Sequence, residues 1–179
     1  LPFANLGPRP EQDYFANGIT ADLITDLSKL SALLVIAPNS VFVYRDAETG
    51  PGQISAELAV DYLVTGSVQR SGERLRINVR LIEVPVERAL WGERYDVGIR
   101  QLFEVQDRIT AAVVAALEVE LAPGERDRLA RRSTASIAAY DHYLRGFEEH
   151  GRSSREQNRS AQWEFERAIA LDPVFDRAY

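Results

Sequence analysis

Asp61–Asp96, DYLVTGSVQRSGERLRINVRLIEVPVERALWGERYD, decides the fold. In its first run Tyr62, Val64 and Val68 fall on one side and Thr65, Ser67 and Gln69 on the other. The second run sends Leu75, Ile77, Val79 and Leu81 one way and Arg74, Arg76, Asn78 and Arg80 the other. The third sets Ala89, Trp91, Glu93 and Tyr95 against Leu90, Gly92, Arg94 and Asp96. Strand side chains alternate sides, so a period of two marks a sheet with one face buried and one wet. Ser71-Gly72 signals a tight turn, because glycine tolerates the positive φ that hairpins need. Pro85–Arg88 supplies a second, looser turn. The expectation is a three-stranded meander that the flanking segments must cover.

Upstream, Leu1–Phe3 reads as a strand end cut mid-element, with the chain a fragment of a longer protein. A loop with Gly7, Pro8 and Pro10 follows. Ile19, Leu23, Leu27 and Leu30 lie at helical spacing, so Asp13–Lys29 is expected as an amphipathic helix. Thr20 is placed as its N-cap after Gly18, with Asp22 near the positive end of the helix dipole. Leu33–Ala37 (LLVIA) reads as a short buried strand ended by Pro38. Ser40–Tyr44 fits either strand or short helix, Asp46–Gly52 reads as a loop, and Gln53–Ala59 as a turn or two of helix. Downstream, Leu102, Ile109, Val113, Ala116 and Leu117 form an apolar stripe, so Arg100–Leu121 is expected as a long helix broken by Pro123-Gly124. Helices on the apolar face give a two-layer arrangement. Charged, apolar-poor Glu125–Ser136 suits a connector.

A different pattern begins near Ile137. Ala161, Phe165, Ala168 and Pro173 follow A-x3-F-x2-A-x4-P, and the pair Ala139-Tyr140 recurs as Ala178-Tyr179. This resembles a tetratricopeptide repeat, whose period is about 34 residues. The spacing from Tyr140 to Tyr179 is 39 residues, and the excess is assigned to the loop around Gly151–Glu156. The helices are placed at roughly Ala138–His150 and Asn158–Leu171. Tyr143-Leu144 stands where the family has Leu-Gly. The fold class is therefore α/β (α+β): a small mixed sheet with an antiparallel meander covered by helices, then an α-helical repeat hairpin. The division is 1–121 for the α/β module, 122–136 for the linker and 137–179 for the truncated helix pair.

The order of these signals resembles the TolB-like amino-terminal module of bacterial signalling proteins. The matching text is LPFANL, YFANGITADLITDLSKL, VTGSVQRSG, RLRINVRLIE, LWGERYD and FEVQDRITAAVVAAL, covering about Leu1–Leu121. The resemblance implies a small mixed sheet with helices, repeats after it, and an output domain outside this chain. That output domain is often a class III adenylate or guanylate cyclase, or a winged-helix regulator resembling CadC. It transfers no catalytic residue. The repeat resemblance implies that the first helix of the pair lines a concave, peptide-holding face. The positions resembling the peptide-facing set are Asp141, His142, Arg145 and Glu149, with plain solvent exposure as the competing account.

Composition bounds the rest. The chain has 179 residues, a formal net charge of −6 and no cysteine. Residues 1–121 hold 11 basic and 17 acidic side chains, and 122–179 hold 10 of each. Nonspecific nucleic-acid binding is not expected, since phosphate contact needs a positive face. Disulfides and cysteine-based zinc or nucleophile chemistry are excluded. No apolar run approaches the ~18–20 residues of a membrane helix, and the compartment stays open between the two sides of a bacterial membrane.

Asp22 and Asp26 stand four apart and could hold a divalent ion, yet a solvated helix face explains them better without a third ligand. His142 and His150 lack zinc-ligand spacing. Ser40, Ser67 and Ser71 sit in no nucleophile elbow, and Thr49–Gly52 lacks the lysine of a phosphate loop. Arg70, Arg74, Arg76 and Arg80 could form an anion-binding stripe, but pairing with Glu73, Glu83, Glu87 and Glu93 is favoured. No catalytic residue, metal site or cofactor is assigned.

The expectation is thus a non-catalytic regulatory and protein-interaction region of a bacterial signalling protein, with a protein or peptide partner and homo-oligomerisation left open. The rivals are a small-ligand or nucleotide sensor, using the arginine face or a cleft beside the first helix, and the extracytoplasmic sensor of a winged-helix transcription regulator.

Overall fold

The computed structural model describes residues 1–9, 12–45, 48–130, 133–150 and 155–179. It shows an α/β fold with a helical carboxy-terminal part, in two compact units, Leu1–Ala130 and Arg131–Tyr179. The first unit holds β1 (Ala4–Asn5), α1 (Asp13–Leu27), α2 (Pro38–Phe42), α3 (Pro51–Leu58), β2 (Tyr62–Ser71), β3 (Arg74–Glu83), β4 (Arg88–Gly98), α4 (Leu102–Ala116) and α5 (Glu125–Ala130). The second holds α6 (Ile137–His150) and α7 (Arg155–Leu171). The loop around Gly151–Glu156, to which the long repeat spacing was assigned, lies at residues 151–154 outside the described residues, as do Asp46 and Ala47 of the DAETGPG loop.

The sheet has the order β1-β2-β3-β4. β1 runs parallel to β2, and β2, β3 and β4 form the antiparallel meander. Ser71 pairs with Arg74, leaving Gly72 and Glu73 as the turn, with φ +58° at Gly72. A positive φ at the first central residue only is the type II′ pattern, which suits the strand twist. Leu75, Ile77, Val79 and Leu81 are buried on one side of β3. α4 packs over them with Leu102, Val105, Ile109 and Val113 buried, and α1 packs on α4 with Phe15, Ile19 and Leu23 buried. Burial of each such side chain contributes roughly 1.5–3 kcal/mol, so this layer carries most of the unit's stability.

The third strand departs from simple alternation. Leu81 pairs with Trp91 but Ile82 pairs with Ala89, so Leu90 is an extra residue. A bulge of this kind moves every residue beyond it to the opposite face. Ala89 therefore shares a face with Ile82 and Leu63, not with Trp91. At that end the second face of the sheet is covered too: Ile54 of α3 packs with Leu63 and Val84, beside Tyr44, Leu58 and Ile82.

Two further expectations are corrected. Leu33–Ala37 pairs with no strand: it is the extended lead-in to α2, and Leu34 is 93% exposed. Ala37 is extended and Pro38 starts the helix, where a proline costs no hydrogen bond. Thr20 does not cap α1, which starts at Asp13 and runs through Gly18. A helical glycine costs about 1 kcal/mol, and burying Phe15 and Ile19 outweighs that. Thr20 is instead buried in mid-helix, where its Oγ1 donates to Ala16 O and accepts the Phe3 N–H, both at 2.9 Å. Asp22 likewise lies inside the helix rather than at its positive end. Asn5 organises the loop into α1, donating from Nδ2 to Asp13 Oδ1 at 2.8 Å and accepting the Gly7 N–H at 2.8 Å.

Candidate functional site

In the helix-pair unit, small residues let α6 and α7 approach closely. A Cβ at Gly146 would stand 2.8 Å from the Phe165 ring and 3.1 Å from Ala161 O. Tyr143 is the centre of an aromatic cluster, with ring centroids 5.0 Å from Phe175, 6.1 Å from Phe165 and 6.5 Å from Tyr140. The Arg177 guanidinium lies over Tyr143 at 5.1 Å. Asp172, after the last turn of α7, accepts the Thr134 hydroxyl.

The four peptide-facing candidates are not equivalent. His142 Nδ1 is 2.5 Å from Glu164 Oε2, and its ring meets Trp163 edge-on at 5.9 Å. The histidine is thus held by α7. Arg145 Nε donates to Asp141 Oδ2 at 3.0 Å along α6, and Arg145 is the exposed member. Glu149 is half-buried, and its Oε2 has no hydrogen-bond partner among the described residues. His150 is exposed at the end of α6. Around these residues Phe147, Trp163, Leu171, Val174 and Tyr179 are exposed by 43–83%.

The wet face of the sheet in the first unit is basic. Arg74, Arg76, Asn78 and Arg80 of β3 face outward between Ser71, Gln69, Ser67 and Thr65 of β2 and Gly98, Asp96, Arg94 and Gly92 of β4. Arg76 Nε binds Asp96 Oδ1 at 2.6 Å and Arg94 Nε binds Asp96 Oδ2 at 3.1 Å. The hydrogen bond from Arg76, helped by Arg94 and Arg74, holds the Asp96 carboxyl below the usual carboxylate range. Asn78 Nδ2 donates to Ser67 Oγ at 3.0 Å. Two of the expected glutamate partners are engaged elsewhere: Glu83 with Arg88 at 2.7 Å, and Glu93 with the Tyr95 hydroxyl and with Arg108. Arg70 is not on this face. It shares the side of Val68 and stacks on Phe15 at 5.0 Å. Arg94, absent from the arginines singled out in the sequence, takes its place.

A cleft also runs along α4 and the segment after it, with Asp26 the residue of α1 that borders it. A space of about 850 Å³ is lined by Asp26, Asp107, Thr110, Ala111, Val114, Ala115, Val119, Glu120, Leu121, Arg126 and Leu129. Asp26 is paired with Lys29 at 2.6 Å. Burial pushes its carboxyl up, against the pull of Lys29 and with the push of Asp22 and Asp107. Asp22 is buried and accepts from Gln106 Nε2 at 3.2 Å. Among the described residues no group of three His, Asp or Glu side chains is placed to hold a metal ion, and no helix is long and apolar enough to cross a membrane.

A family model described as HilA/YgeH-like transcriptional regulator, second domain, matches residues 1–112. The whole chain is 42% identical to "Putative adenylate cyclase 3" of Rhizobium meliloti (strain 1021), covering 100% of this chain and 30% of that protein. Over 99 residues it is 32% identical to the Tol-Pal system protein TolB of Alkalilimnicola ehrlichii (strain ATCC BAA-1101 / DSM 17681 / MLHE-1), covering 53% of this chain and 22% of that protein. The chain spans less than a third of the length of either curated relative.

Proposed function

The chain belongs to the HilA/YgeH-like transcriptional regulator second-domain family over residues 1–112, and from that premise we propose that it is the non-catalytic regulatory and protein-interaction region of a larger bacterial signalling protein. What carries the reading is the match of the entire chain to under a third of a protein named as an adenylate cyclase. The output activity then resides in the rest of such a protein, and this region biases it by binding.

In this reading the helix pair opens a tetratricopeptide-like surface for a protein or peptide. Arg145, paired with Asp141, supplies its accessible charge, Glu149 a carboxylate, and His142 is braced by Glu164. The exposed Phe147 and Trp163 support it, because apolar side chains rimmed by charge are what a protein partner covers.

Two further readings each have an observation in favour. The regulator family match favours the sensor of a winged-helix transcription regulator as the parent. The cleft along α4 favours a small-ligand sensor, since pockets of roughly 300–1,000 Å³ with a few polar groups suit small molecules. Thermal-shift titration with ATP, GTP, cyclic AMP and amino acids separates the last from the interaction reading. Interaction predicts no shift; saturable stabilisation by one metabolite, lost in Asp107→Asn, replaces it with the sensor.

A further inference from the structure

We propose that the open face of the sheet in the first unit docks a carboxylate-rich segment of a partner protein. This rests on the interaction reading above and names a second surface and the chemistry of what it takes.

Charge is the first argument. The face carries Arg74, Arg76, Arg80 and Arg94 against the single carboxylate of Asp96, on a chain whose formal net charge is −6. Asp96 is already shared by Arg76 and Arg94. Among the described residues no carboxylate stands within ion-pair distance of Arg74 or Arg80, and both are exposed.

Geometry is the second. Arg80 lies opposite Gly92 and Arg74 opposite Gly98. With no side chain at Gly92, the Arg80 stem lies against that position: a Cβ there would stand 3.4 Å from Arg80 Cγ. The opposing β2 residues, Thr65 and Ser71, are short. Each outer guanidinium therefore has only short side chains, or none, directly across from it, which leaves room for a carboxylate to bind through two parallel hydrogen bonds. Six residues of strand separate the two, about 20 Å, so one acidic segment reaches both.

The alternative polyanion is a single-stranded nucleic acid. Sheet surfaces that bind one present aromatic rings on which bases stack. The face from Thr65 to Ser71, Arg74 to Arg80 and Gly92 to Gly98 presents none.

The test is fluorescence anisotropy with a labelled twelve-residue oligoglutamate and, at equal length, oligothymidylate, at about 20 and 150 mM salt. The chain is compared with Arg74→Gln/Arg80→Gln and with an equal-charge control away from that face, Arg9→Gln/Arg45→Gln, both exposed. The proposal expects oligoglutamate to bind, the first double variant to weaken it at least tenfold, and the control to stay within twofold. Equal losses in both variants, tighter oligothymidylate binding, or no oligoglutamate binding at low salt overturns it. In the full-length protein, regulated output that survives Arg74→Gln/Arg80→Gln but is lost in Asp141→Ala/Arg145→Ala would sink this surface and leave the interaction reading standing. Output indifferent to both pairs would sink the two together.

Discussion

Glu125 accepts the backbone N–H of Ser31 at 2.8 Å, across 94 residues of sequence. Its other oxygen takes the Ala122 N–H, also at 2.8 Å, and Arg128 is 3.5 Å away. A single carboxylate, fully buried, thus ties the start of α5 to the turn after α1. These backbone bonds hold its carboxyl below the ordinary 4.5. A carboxyl so depressed stabilises the fold at pH above the unfolded value, and the contribution fades as pH falls through the folded value. Glu125→Gln should therefore unfold at lower urea than the parent chain at pH 7, with the gap closing below pH 4. A gap that persists unchanged at pH 3 contradicts the ionic origin of the tie.

Gly66 is where β1 meets the sheet. The Phe3 ring lies 2.8 Å from where a Cβ at 66 would stand, and Asn78 O lies 2.5 Å away. Phe3 is buried and its N–H is committed to Thr20, so neither neighbour can yield. Gly66→Ala should destabilise the first unit by about 1–3 kcal/mol, read from denaturant midpoints. A neutral substitution would mean that the ring does not occupy that space.

In the second unit, Gly146→Ala sets two effects against each other. Alanine favours a helix by about 1 kcal/mol over glycine, but its methyl would overlap the Phe165 ring and crowd Ala161 O. Overpacking of that kind costs typically about 1–3 kcal/mol, so net destabilisation is expected. Helix content followed by circular dichroism on heating checks the sign, and a raised midpoint contradicts the close crossing.

What the sequence disclosed is what local periodicity can carry. Arg74 to Arg80 against Leu75 to Leu81 needs only alternation, and the stripe from Leu102 to Val113 only a helical period. The misreadings depend on something distant. Whether Leu33–Ala37 becomes a strand turns on a partner edge, and β1 offers only two paired residues. Thr20 reads as a cap because Gly18 looks like a break, until Phe3 is seen to need its hydroxyl. Ala89 is displaced by a bulge visible only in the pairing with Ile82. For the candidate surfaces, Arg70 could have been set aside from the alternation of Val68 and Gln69, and Arg94 added by the same rule. The brace between His142 and Glu164 depends on how two helices cross, which residue spacing alone does not fix.

Under the proposed function this chain binds and biases rather than catalyses. The most direct measurement is cyclic nucleotide formation by the purified 179-residue chain supplied with ATP or GTP and Mg²⁺ or Mn²⁺. The predicted result is no cyclic AMP or cyclic GMP above the protein-free control at any chain concentration. Product that grows in proportion to the chain added would contradict the account.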